Sequence, residues 1–264
     1  MEGSTSSVYM VAIADKAYRT GFNVVRVNYR NCGGTEHLTS TLYHGGMSAD
    51  LSSVIEELIS KDRLSRIHVL GFSLGGNMVL KLGGEYGSEA PSQIKTLCAI
   101  SPSVDLRAST DLIVAKRNRL YDQNFIRSLK RRIRAKHRLY PDLYDLTPLR
   151  DVKTIRDFDE LYTSKANGFA SANDYYEKSS AVRIAGQICI PTLIIHAKDD
   201  PFIPIEPLRS QAFAKNRHIL SITTERGGHV AFIANAKREG EDRFWAENRA
   251  IEFFKLSEEF FARD

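Results

Sequence analysis

"HVLGFSLGGNMVLKL", residues 68–82, is the stretch on which the fold turns. A β-rich run passes directly into Gly71-Phe72-Ser73-Leu74-Gly75, after which Met78, Val79 and Leu82 share one helical face. A bare G-x-S-x-G pattern is a weak signal. Between a buried strand and a helix it acquires a mechanical meaning, because the sharp turn lifts the serine hydroxyl above the sheet. Glycines flank Ser73 because the turn crowds its neighbours. The hydroxyl then stands at the positive end of the following helix, and the backbone N–H of Leu74 faces the place where an oxyanion would form.

Working outward, further β-rich runs lie at 22–29, 66–72, 95–101, 192–197 and 218–224. Most are near-continuous apolar runs, the pattern of parallel strands covered on both faces. Amphipathic segments separate them, with Leu51, Val54, Ile55 and Leu58 sharing one face after Asp50. This alternation predicts an α/β fold built on a doubly wound, mostly parallel sheet. From about 107 to 187 it breaks into polar, charged, helical sequence with "YPDLYDLTP" as a joint. We read residues 1–106 and 188–264 as the core and 107–187 as a helical lid insertion. From Arg243 onward, Phe244, Ile251, Phe254 and Leu256 fall near a stripe expected to pack on the sheet.

A nucleophilic serine needs a base, and the base needs an orienting carboxylate. In this kind of sheet the chain order is serine, acid, histidine. "PTLIIHAKDDPFIP" (191–204) offers Asp200 at a strand's carboxyl end, with Asp199 as the neighbour that competes for the role. "LSITTERGGHVAF" (220–232) runs a strand into Gly227 and Gly228, which let a loop turn His229 back toward the elbow. All three groups then sit at the carboxyl ends of strands, where ligands bind in such sheets. His44 and His196 are the other two histidines with a possible place near a site.

Other classes are narrowed by composition. The 264 residues, 42% hydrophobic, suffice for one large α/β domain. Cys32, Cys98 and Cys189 are sparse and far apart, which argues against a disulfide framework or a metal site and for a reducing cytoplasm. No cofactor or metal is expected. No run approaches the roughly 18 apolar residues that a membrane span needs. The net charge of +5 is local: "RSLKRRIRAKHR" at 127–138 holds seven Lys/Arg and no acid, and without it the balance falls to −2. Its expected form is a solvated helix face with Ile126, Leu129 and Ile133 turned inward. A weaker reading is attraction of anionic lipid headgroups or an acidic substrate. Nucleic acid is not an expected partner, since no recognition fold or stacking motif accompanies the charge.

On these residues the sequence resembles the α/β-hydrolases, and more narrowly their YheT-like branch. "NVVRVNYRNCGGTEHLTSTLYHGG" looks like that branch's Cys-Gly-Gly turn and Tyr-His pair. "GFSLGGNMVLKLGGE" is similar to its nucleophile elbow. "DFDELYTSKANGF" resembles its lid, and "KDDPFIP" with "GGHVAF" its acid and base segments. The resemblance implies a Ser73–Asp200–His229 triad and hydrolysis of carboxylic esters, with a small-molecule or lipid ester as substrate. Departures are Asn31 where a glycine is common and Met47-Ser48 where acid-Thr is usual. "MEGS" corresponds to the tail of a longer family motif, which implies missing N-terminal strands. It also puts Met1 where the second oxyanion donor belongs. The lid's Phe125, Tyr140, Tyr144, Phe169 and Tyr175 point to an apolar acyl group. Two rival expectations remain, a non-catalytic scaffold that binds a ligand or partner and an acyltransferase using the same three side chains.

Overall fold

A computed structural model describes residues 3–235 and 238–262, so Met1 lies outside the described residues. Four strands form among them: β1 (Ile67–Phe72), β2 (Ile94–Ile100), β3 (Thr192–Ala197) and β4 (Ile219–Thr224). They make one sheet in the order β1-β2-β3-β4, and every neighbouring pair is parallel. The helices of eight or more residues are α1 (Val8–Arg19), α2 (Ser48–Ser60), α3 (Leu74–Tyr86), α4 (Leu106–Ile113), α5 (Arg119–Leu139), α6 (Ala172–Ser179) and α7 (Trp245–Phe261). None is long and apolar enough to cross a membrane. The α/β class and parallel sheet follow the sequence pattern, and 107–187 forms helices and turns with no strand.

Contacts divide the chain into two compact units. One joins the residues up to His44 with Thr110–Lys178, and the other joins Gly45–Ser109 with the residues from Ser179. The first 44 residues therefore cluster with most of the expected lid segment rather than with the sheet.

Within the sheet unit, alternation along β1 sends Ile67 and Val69 toward α3 and His68 to the opposite face. There His68 stacks on Phe254 of α7 at 4.9 Å between ring centres. Its ring nitrogens reach Thr96 Oγ1 at 2.7 Å and Glu258 Oε1 at 2.9 Å. Both faces of the sheet are thus covered, and β2 and β3 are correspondingly apolar. Leu97, Ile100, Ile194 and Ile195 are buried, as are Ile55 of α2 and Val79 and Leu82 of α3. In α7, Ile251 and Phe254 are buried but Leu256 is exposed.

In the other unit two expectations are corrected. Residues 22–29 are extended but form no strand. Val24, Val25 and Val27 are 39%, 58% and 37% exposed, and no described segment pairs with them. β propensity describes fit to a half-buried sheet surface, so without a neighbour it produces an extended chain and nothing more. The basic run is not wholly solvated either. Ile126, Leu129 and Ile133 of α5 are buried as expected, but so are Arg132 and Lys136. Lys136 lies one turn beyond Ile133 on the inward face, and its ammonium donates to the carbonyls of Glu36 and Thr39. It also sits over the Tyr140 and Tyr144 rings, whose hydroxyls donate to the His37 and Ser40 carbonyls. Arg132 lies over the Tyr43 ring at 4.6 Å and points both terminal nitrogens at Cys32 Sγ, 3.7 Å away. The buried Lys136 ammonium is tolerable because backbone carbonyls accept its protons.

Candidate active site

The elbow is built as the sequence implies. β1 ends at Phe72, α3 begins at Leu74, and Ser73 between them has φ 52° and ψ −118°. A non-glycine residue with positive φ is sterically costly and persists only where its surroundings over-determine it. Here three backbone bonds do so. Ser73 N–H donates to Ile100 O at 2.9 Å, and the Ser73 carbonyl accepts from Asn77 N at 3.1 Å and Ser103 N at 3.2 Å. A Cβ at Gly71 would lie 2.3 Å from the Gly75 carbonyl oxygen, a backbone atom that cannot swing away. Gly76 is pressed in the same way on Pro102, at 2.9 Å from its Cβ. α3 presents its first backbone N–H groups, Leu74 among them, beside the serine, where no intrahelical acceptor exists for them.

Ser73, His229 and Asp200 come together, 156 and 29 residues apart in sequence from the histidine. His229 Nε2 is 2.9 Å from Ser73 Oγ, and its Nδ1 is 2.8 Å from Asp200 Oδ2. The Asp200 side chain has no solvent exposure, against 20% for His229. Its second oxygen accepts from Phe202 N at 2.8 Å and Ile203 N at 3.1 Å, so the carboxylate is held on both oxygens. Phe202 also packs edge-on against the His229 ring, 5.1 Å between centres.

Asp199 has a different occupation. Its Oδ1 accepts from the backbone N–H groups of Gly227 and Gly228, each at 2.9 Å, and so ties down the loop that carries His229. Gly227 must be glycine for space, since a Cβ would meet Phe232 at 2.5 Å and Ala197 at 2.9 Å. Gly228 must be glycine for conformation, with φ +63°. In sequence, Asp199 reads only as a competitor for the acid role. The signal of its other part is the pair of adjacent N–H donors that a Gly-Gly loop leaves needing an acceptor.

His196 lies at the end of β3, 1% exposed, in the same unit. Burial holds it below the ordinary imidazole range, opposed by the nearby Asp200 carboxylate. It is therefore neutral at neutral pH. His44 belongs to the other unit, edge-on to Phe169 at 5.1 Å and to Tyr175 at 5.8 Å. Among the described residues no cluster of His, Cys, Asp and Glu has the form of a metal site.

Comparison with known proteins places this geometry in context. The family model described as alpha/beta hydrolase fold matches residues 3–236. "Putative esterase YheT" of Escherichia coli (strain K12) is 31% identical over 251 residues, covering 94% of this chain and 72% of that protein. "Medium-chain fatty acid ethyl ester synthase/esterase 2" of Saccharomyces cerevisiae is 26% identical over 291 residues. That alignment covers 98% of this chain and 61% of the yeast protein, so the chain spans about three fifths of that relative's length. Among solved structures, a Pyrococcus furiosus esterase superposes with a TM-score of 0.59 at 16% identity, over 96% of this chain and 79% of the other. That likeness speaks to the fold alone.

Proposed function

The chain belongs to the alpha/beta hydrolase fold family, and from that premise we propose that it is a serine hydrolase acting on carboxylic esters. Relatives named as esterases support ester hydrolysis at the level of the family. The observation that carries the finer reading is the single imidazole bridging Ser73 Oγ at 2.9 Å and the buried Asp200 carboxylate at 2.8 Å. In this reading His229 Nε2 takes the proton of Ser73 as Oγ attacks the ester carbonyl. Asp200 accepts from Nδ1–H, which fixes the tautomer that leaves Nε2 free as the base and stabilises the imidazolium that forms. The Leu74 N–H supports the oxyanion, and the alcohol departs with the proton that His229 returns. Water, deprotonated by the same imidazole, then releases the acid from the acyl-enzyme. Met1 as second oxyanion donor lies outside the described residues and stays a proposal from family resemblance.

For the substrate, the yeast relative named for medium-chain fatty acid ethyl esters supports an acyl ester with an apolar acyl group. The same name, a synthase as well as an esterase, favours one second reading, in which an alcohol replaces water in the deacylation step. The sparse, widely separated cysteines Cys32, Cys98 and Cys189 support a reducing, cytoplasmic setting. The decisive test is labelling by a fluorophosphonate probe. Wild-type protein should be labelled and Ser73→Ala should not. A folded wild type that stays unlabelled, or a Ser73→Ala variant that labels equally, would overturn the proposal.

A further inference from the structure

The solvent face of α5 has no part in the hydrolase reading. Arg127, Arg131, Arg134 and Arg138 recur at intervals of four, three and four residues, so they fall on one face of the helix, and all four are exposed. The row is about 16 Å long at the helical rise per residue. Lys116, Arg117 and Arg119 add exposed cations at its start. No described carboxylate pairs with any of the four arginines. The helix's own acid, Asp122, is buried with Oδ1 accepting from Ile155 N. Some exposed cations elsewhere on the molecule do find partners, as in Lys61–Glu57, Lys178–Asp174 and Arg19–Asp15. Like charges three and four residues apart also mildly destabilise a helix, a repulsion that an anionic surface would relieve. Large apolar side chains stand at its ends, with Leu120 81%, Tyr121 51%, Leu139 46% and Leu143 64% exposed.

We propose that this arginine face docks the protein on an anionic phospholipid bilayer. Unpaired guanidinium groups meet the phosphate and carboxylate headgroups, and the flanking leucines enter the interfacial layer. Cation charge and apolar side chains together are the two signals that peripheral membrane binding requires. Three leucines with a single tyrosine suit an acyl boundary better than a nucleic acid, whose binding sites rely on aromatic stacking. The contact is peripheral, since no described helix can span a bilayer.

The test is co-sedimentation of the full chain with vesicles of phosphatidylcholine alone, or with about one third phosphatidylserine. All proteins carry Ser73→Ala, so the result does not depend on catalysis and failure here leaves the hydrolase reading standing. Binding to the mixed vesicles and not to the neutral ones is expected, with release as salt approaches about 1 M. The variant Arg127→Glu, Arg131→Glu, Arg134→Glu should bind at least about 100-fold more weakly. The matching triple glutamine variant, checked for folding by circular dichroism, gives the same reading if charge reversal disturbs the helix. Equal binding to neutral vesicles, undiminished binding by both triple variants, or preference for single-stranded RNA over the mixed vesicles would each overturn the proposal.

Discussion

β3 with the turn that follows it, and residues 22–29 with theirs, look alike in sequence. Each is a β-branched apolar run followed by a polar turn. β3 lies between β2 and β4, all six of its residues are buried, and its turn delivers Asp199 and Asp200 to fixed partners. Among the described residues, 22–29 have no such neighbouring strands. Their valines face solvent, and in the turn that follows, Asn31 has φ 64° with both side-chain amide atoms buried and unpartnered. The difference shows that a strand is a property of its neighbours as much as of its own residues. A catalytic geometry at the end of a strand inherits that dependence.

The comparison can be broken or sharpened by substitution. The largest effect is expected at the turn after β3. Asp200→Asn should lower kcat on a chromogenic ester by about 10³- to 10⁴-fold with little change in folding, because the imidazole loses its fixed tautomer. A loss below about tenfold would remove Asp200 from the acid role. Next comes Ile195→Ala in β3, expected to cost about 2–5 kcal/mol in urea unfolding, since the side chain is fully buried. Asp199→Ala should cost about 0.5–1.5 kcal/mol, since it removes the acceptor of two solvent-accessible backbone donors of the His229 loop. If it instead matches Asp200→Asn in kcat, the division of labour between the two acids is wrong. Smallest is Val25→Ala, expected within about 0.5 kcal/mol of wild type. A cost near that of Ile195→Ala would show that 22–29 is covered after all.

Much of the sheet and the candidate site was legible because their signals are local. The G-x-S-x-G turn, the acid beside a proline-rich turn and the Gly-Gly-His loop each carry their geometry within a few residues. Chain order supplied the rest. What could not be read were features that depend on distant acceptors. Nothing near Lys136 in sequence announces that the carbonyls of Glu36 and Thr39 accept its protons, and seven cations in twelve residues read naturally as a solvated face. Asp199 was obscured in the same way, because its two donors lie 28 and 29 residues away. The valines of 22–29 misled for the opposite reason. Their pattern is a true β signal, but no pattern reports whether a pairing strand exists.

That extended segment also bears on how the protein behaves in concentrated solution. An extended, valine-rich edge is the surface on which a second copy adds by strand pairing, the first step of aggregation. Arg26 stands exposed in its middle, anchored through its guanidinium to the Thr5 carbonyl. One charge in the run acts as a gatekeeper, because every copy added to a stack would bring another like charge against it. Self-association through this segment is thus expected to be opposed by Arg26, and less so as rising ionic strength screens its charge.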